Sequence, residues 1–182
     1  MKIGIVLGSV REGRKGKSVA DWVMSIANER TDAHYELIDV AQFNLPVLTD
    51  EQHPASRGGK YDNQNVQRWG DTIASCDGFV FVTAEYNHSV PGGFKNAVDH
   101  LAPEFLHKPI GFVSYGSVGG IRAVEHWRTI VANFSMLDVR AQVALNLFTE
   151  FDDEGVTPNE RRAVELGDVF DAVVQLAEKV RN

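Results

Sequence analysis

With 182 residues, 43% of them hydrophobic and 24% charged, the chain can bury one sizeable core and shows no compositional sign of disorder. Eighteen basic residues against 25 acidic ones give a net charge of −7. That balance argues against nucleic acid or an anionic membrane as partner, since both need clustered Lys and Arg. A single cysteine, Cys76, excludes an intramolecular disulfide and a thiolate metal site.

Short apolar runs alternate with helical patterns along the chain, the signature of β-α repeats on a parallel sheet. The first strand is expected at Ile3–Leu7. That run is too short for the apolar core of a signal peptide, and no later stretch approaches membrane-spanning length. A soluble cytoplasmic protein is therefore expected, and the Asn-x-Ser sequons at Asn87 and Asn133 carry no meaning as glycosylation sites. A helical stripe follows through Val19, Trp22, Val23, Ile26 and Ala27, then a second strand at His34–Asp39. Residues 40–63 form one long irregular stretch, of the kind that is usually functional or mobile.

The second stripe runs through Val66, Trp69, Ile73 and Ala74 to the third strand, Phe79–Thr83. The fourth strand is expected at Ile110–Ser114, the third stripe over Ile121, Val124, Trp127, Ile130, Val131 and Phe134, and the fifth strand at Val139–Leu145. A last stripe takes in Ala163, Leu166, Phe170, Val173, Val174 and Ala177. Trp22, Trp69 and Trp127 fall in these stripes and read as core. Strands 1 and 3 are almost wholly apolar, as central strands covered on both faces should be, while strands 2 and 5 alternate with polar residues and suit edges. That pattern favours the order 2-1-3-4-5 over the dinucleotide-binding 3-2-1-4-5. A three-layer sandwich on a five-stranded parallel sheet, in one domain over residues 1–182, is the expected architecture.

Ligands of open α/β sheets sit beyond the carboxyl ends of the strands, so the loops there carry the functional reading. After strand 1 comes Gly8 to Ser18, with Arg11, Arg14, Lys15 and Lys17 against one acid, Glu12. The loop leads into a helix whose first N–H groups and dipole favour an anion, and a phosphate cradle is the natural reading. It is not a P-loop: Gly16-Lys17-Ser18 would need glycine at position 11, which is Arg11. Nor is it Gly-x-Gly-x-x-Gly, because position 10 is Val10. Asp39 lies 31 residues beyond Gly8, too far for a ribose-binding acid at the usual spacing of about 20. After strand 3, Tyr86 offers an aromatic face and Asn87 an amide that both donates and accepts, suited to a flat heterocycle with polar edges. Pro91 is placed to open the next helix. His88, a loop histidine with no evident partner, reads as a bystander. After strand 4, Gly116, Ser117, Gly119 and Gly120 give a second glycine-rich entry to a helix.

These loops resemble those of the NAD(P)H-dependent FMN reductases of the flavodoxin-like superfamily, which include quinone, azo-dye and chromate reductases. The resemblance covers essentially the whole chain. It rests on Gly8-Ser9-Val10-Arg11 through Ala20, on Ala84 through Asn96 with an intact Tyr86-Asn87-x-Ser89-x-Pro91-Gly92 centre, and on Ser114 through Gly120. Three positions depart from the family pattern: Arg14 replaces a serine, Ala84 a proline and Phe94 a leucine. The resemblance implies that Ser9, Arg11, Arg14, Gly16, Lys17 and Ser18 hold the FMN phosphate. It likewise implies that Ala84, Glu85, Tyr86 and Asn87 lie along the isoalloxazine, with Gly116 and Ser117 closing its other edge. It further implies NAD(P)H as electron donor, a small-molecule acceptor and a homodimer or homotetramer. The hard chemistry would belong to the cofactor, and no protein nucleophile, metal or acid–base dyad is evident. Two rivals stay open: a flavodoxin-type one-electron carrier, and a phosphate-binding module without flavin. The second loop favours the reductase over both.

Overall fold

The computed structural model describes residues 1–181, leaving only Asn182 outside. Its sheet is parallel throughout, in the order β2-β1-β3-β4-β5. The strands are β1 (Lys2–Leu7), β2 (His34–Asp39), β3 (Gly78–Ala84), β4 (Pro109–Gly116) and β5 (Leu137–Asn146). The helices are α1 (Gly16–Ala27), α2 (Gln64–Ala74), α3 (Gly92–Asp99), α4 (Ile121–Ala132) and α5 (Glu160–Arg181). The expected architecture and strand order are both present. All but β2 extend one to three residues beyond the runs expected from sequence, because ladder pairing continues at their ends, as between Ala84 and Tyr115 and between Gly116 and Asn146.

Strand alternation sends successive side chains to opposite faces and so builds two cores. Ile3, Ile5, Leu7, Val80, Val82 and Val113 face α1 and α5, with Val19, Val23, Phe170 and Val173 packed against them. Val6, Phe79, Phe81, Ile110 and Phe112 face α2, α3 and α4. This second core is aromatic: Phe81 stands 4.7 Å from Phe94 and 5.5 Å from Trp127, centroid to centroid. Trp69 and Trp127 are fully buried, and each indole N–H finds an acceptor, the Ala97 carbonyl and the Thr83 hydroxyl respectively. Trp22 departs from expectation and is only half-buried, packed at the margin of the first core. Ile121, the first residue of its stripe, is exposed because it sits in the opening turn of α4, beyond the reach of the sheet.

The long irregular stretch 40–63 contains two 3₁₀ turns, Val40–Phe43 and Pro54–Ser56, and is tied down at several points. The Asn96 amide donates to the Pro46 carbonyl at 2.8 Å and accepts from the Leu48 N–H at 3.0 Å. His100 Nε2 also lies 2.8 Å from the Pro46 carbonyl, and Tyr61 donates to buried Glu104 at 2.8 Å. Asn96 closes the second sequence motif, and in this fold its side chain serves the neighbouring loop. Among the described residues, no helix is long and apolar enough to cross a membrane.

Candidate functional site

Parallel order brings the loops after β1, β3 and β4 to one end of the sheet, and a cleft of about 290 Å³ opens there. Its walls come from Ser9, Arg11, Gly13, Arg14 and Lys15 of the first loop, Ala84, Glu85 and Tyr86 of the second, Tyr115 at the end of β4, and Leu147 beyond β5. Six of the twelve residues singled out by sequence therefore line one cavity: Ser9, Arg11, Arg14, Ala84, Glu85 and Tyr86.

The four cations of the first loop divide into two pairs. Arg14 turns inward and makes a bidentate contact with Asp39 at the end of β2, at 2.8 and 2.5 Å, and a further hydrogen bond to the Ser9 carbonyl. Lys17 turns outward to Asp21, one turn along α1. Arg11 and Lys15, by contrast, have no ion pair among the described residues. Arg11 lies over the Tyr86 ring at 5.7 Å and Lys15 over the Phe151 ring at 5.4 Å. Among the described residues, the N–H groups of Arg11, Glu12, Gly13, Lys15 and Gly16 have no protein acceptor, and α1 starts without a side-chain cap or an acid in its first turn. Two unpaired cations, a row of open N–H groups and an uncapped helix start form a donor set for a dianionic phosphate. Tyr86, Ala84 and Tyr115 line the same cleft, and their aromatic and apolar surface suits an aromatic heterocycle. The residues present thus fit FMN.

Of the remaining first-loop candidates, Gly16 is buried beneath Tyr115, where a β-carbon would come within 2.4 Å of the tyrosine hydroxyl. Lys17 and Ser18 do not reach the cleft wall. The Ser18 hydroxyl donates to the Lys15 carbonyl at 2.8 Å and accepts from the Val156 N–H at 3.1 Å. It joins α1 to the segment after β5. That segment, residues 147–157, is the part of the site that sequence reasoning missed. It offers no glycine-rich signal, yet it supplies Leu147 to the wall and Phe151 beneath Lys15. Its anchor is Glu150, buried, ion-paired to Arg162 at 2.7 Å and accepting from the Asn146 N–H at 2.8 Å. Burial pushes the Glu150 carboxyl up, but the Arg162 and Asn146 bonds outweigh it and hold it below its ordinary value.

The second loop is a tight turn closed in both directions between Tyr86 and Ser89, each N–H donating to the other's carbonyl at 3.0 Å. Asn87 and His88 occupy its two left-handed positions, with φ of 49° and 71°. Asn87 suits such a position and is exposed at the tip, away from the cleft wall. Tyr86 is fixed against the first loop by a 3.1 Å contact between its hydroxyl and Ser9 Oγ. Glu85 is held from the other side: its carboxylate pairs with Arg122 at 2.6 Å and accepts the Arg122 N–H at 3.2 Å, joining the second loop to the start of α4. His88 is not isolated, because its Nδ1 lies 3.0 Å from Arg122 Nη1.

In the third loop, Gly116 and Ser117 are next to the cleft without lining it. The Gly116 carbonyl accepts from Gly119 and Leu147, and the Ser117 carbonyl accepts from Asn146 Nδ2. Gly120 caps α4 with φ of 75°, where a β-carbon would fall 2.9 Å from the Tyr115 backbone. Tyr115 itself was not among the candidates. Burial raises its hydroxyl to about 12, so it stays protonated in the cleft wall at ordinary pH.

Residues 1–150 match a model of the family described as NADPH-dependent FMN reductase, which covers everything but the terminal helix region. The chain is 41% identical over 126 residues to NAD(P)H-dependent FMN reductase ntnL of Nectria sp, across 67% of this chain and 63% of that protein. The match therefore spans a little under two thirds of the Nectria protein's length. It is 34% identical over 139 residues to a quinone reductase of Escherichia coli (strain K12), across 72% of this chain and 69% of that one. Among solved structures, FerB, a flavoenzyme NAD(P)H:(acceptor) oxidoreductase from Paracoccus denitrificans, superposes with a TM-score of 0.76 at 21% identity. That superposition covers 98% of this chain and 97% of FerB, and it establishes the fold as flavodoxin-like. With the family model matched over residues 1–150 and relatives at 34–41% identity, the chain belongs to the NADPH-dependent FMN reductase family.

Proposed function

We propose that the chain, acting as one domain and as a cytoplasmic homodimer or homotetramer, carries two electrons from NADH or NADPH through bound FMN to a small acceptor such as a quinone. The observation that carries this reading is the pair of unpaired cations, Arg11 and Lys15, beside open N–H groups at the start of α1 and next to the Tyr86 wall. FMN, when held there, would supply the redox chemistry, acceptance of hydride from nicotinamide and delivery of two electrons to the acceptor.

The protein's part is binding and orientation. Arg11, Lys15 and the N–H groups of the first loop hold the phosphate. Tyr86, held to Ser9, and Ala84 line the side of the cleft along which the ring would lie. Glu85 keeps the second and third loops in fixed relation through Arg122, so that the wall does not splay. The buried Tyr115 hydroxyl closes the floor near Gly16. No nucleophile is needed. Cys76 is buried against α2, and burial pushes its thiol up, away from the thiolate form.

Purified protein is expected to retain a flavin absorbance and to bind FMN far more tightly than riboflavin, which lacks the phosphate. With NADH or NADPH and a quinone both varied, initial rates should give the parallel-line pattern of a ping-pong scheme. Equal affinity for FMN and riboflavin would remove the phosphate assignment.

A further inference from the structure

We infer that Arg14, although it stands in the phosphate loop, is a positioning residue rather than a phosphate ligand, and that Asp39 is its working partner. The inference rests on the FMN reading above and deepens it. Arg14 and Asp39 side chains are only 16% and 9% exposed, and their fork-to-fork contact engages both guanidinium Nη atoms and both carboxylate oxygens. The same Nη1 also donates to the Ser9 carbonyl. One guanidinium therefore ties the beginning of the loop to its own position five residues later, and ties both to the end of β2. Asp39 Oδ1 carries the connection on, accepting the Ala41 N–H at 3.1 Å at the start of the 40–63 stretch.

A desolvated pair of this kind adds little net stability, because removing two charges from water offsets most of their attraction. Its best-attested effect is to select one arrangement among several, and here the arrangement selected is the loop's. Among the described residues, the closed Ser9–Arg14 span leaves the N–H groups of Arg11, Glu12, Gly13, Lys15 and Gly16 without a protein acceptor, with the Arg11 and Lys15 side chains free of ion pairs beside them. Without the latch, a glycine-bearing loop would have to be ordered when phosphate binds, and that ordering subtracts from affinity.

The two roles predict opposite signs. If Arg14 were a phosphate ligand competing with Asp39, Asp39→Asn would release the guanidinium and remove a nearby negative charge, so FMN would bind more tightly. Under the positioning role, Asp39→Asn breaks the latch and FMN binds about tenfold more weakly. Arg14→Lys should behave alike, because an ammonium keeps the charge but cannot span both carboxylate oxygens and the Ser9 carbonyl. Riboflavin affinity should barely move in either variant.

The experiment is a fluorescence-quenching titration of the apoprotein with FMN and with riboflavin, together with stopped-flow FMN association, for the wild type and both variants. Association of FMN should slow in the variants. The double variant Arg14→Leu with Asp39→Leu buries no unpaired charge and guards against simple misfolding. It should keep its far-UV spectrum and thermal transition yet still bind FMN weakly. Tighter FMN binding by Asp39→Asn, or wild-type FMN binding by the folded double variant, would overturn the positioning role while leaving the cofactor reading intact. A wild-type protein with no preference for FMN over riboflavin would instead defeat the cofactor reading, and the positioning role with it.

Discussion

Replacing Gly8 with alanine tests how the phosphate loop is seated on the core. Gly8 follows β1 and donates its N–H to the Val82 carbonyl at 3.1 Å, so the backbone there cannot move without breaking the ladder. A β-carbon on it would lie 1.8 Å from Phe94 Cδ1 and 2.3 Å from two further ring atoms. Carbon pairs rest at roughly 3.5–4.0 Å, so the ring would have to retreat by well over an ångström. It has nowhere to go: Phe94 is fully buried, with the Phe81 and Trp127 rings each 4.7 Å away. Trp127 is in turn fixed by its bond to Thr83. Overpacking of a rigid site costs about 1–3 kcal/mol, and this clash belongs at the upper end. For a chain of this size, 3 kcal/mol lowers Tm by roughly 6–12 °C. Urea unfolding followed by tryptophan fluorescence should show the loss as a lower midpoint at unchanged slope. Phe94→Leu, which restores the residue of the family pattern, should recover much of the loss when combined with Gly8→Ala. A Gly8→Ala protein with the wild-type midpoint would refute the argument that this glycine is required by close approach.

Arg11→Ala should weaken FMN binding about ten- to a hundredfold, the effect of losing one charge-assisted contact of roughly 1.5–3 kcal/mol, with riboflavin binding little changed. Cys76→Ser should keep its reductase rate with some loss of stability, and a hundredfold fall in rate with FMN still bound would point to a thiol mechanism. Glu150 gives a pH signature. Its native carboxyl is held below the unfolded value of about 4.3, so its contribution to stability is complete above that pH and is lost as pH falls through the native value. Glu150→Gln should therefore lower stability near neutrality and flatten the acid limb of the stability profile, as read by urea midpoints at several pH values.

The sheet order was legible because burial leaves a plain mark on strands. Phe79 to Val82 and Ile3 to Leu7 are apolar on both faces, whereas Tyr35-Glu36-Leu37 and Arg140-Ala141-Gln142 alternate, as the edge positions of β2 and β5 require. The loops at the strand ends were legible through composition: basic residues near a helix start, and Tyr86 and Asn87 before Pro91. Which cation does what was not legible. Arg11, Arg14, Lys15 and Lys17 look alike in sequence, and only Asp39 and Asp21, placed by the fold, divide them into paired and unpaired. Leu147 and Phe151 escaped notice because residues 147–157 reach the site by folding back against α1, through Ser18 and Val156, with no local periodicity to announce it. Asn96 looked like part of the flavin motif and turned out to hold Pro46 and Leu48.

Whether the cleft serves two-electron transfer from nicotinamide to a small molecule is decided by an anaerobic stopped-flow titration of the FMN-loaded protein, followed at flavin wavelengths, with no partner protein present. NADH or NADPH should bleach the flavin rapidly, and a small quinone added afterwards should restore the colour. If neither nicotinamide bleaches it, while dithionite does so in two separate one-electron stages, the chain is an electron carrier and the reductase account is contradicted.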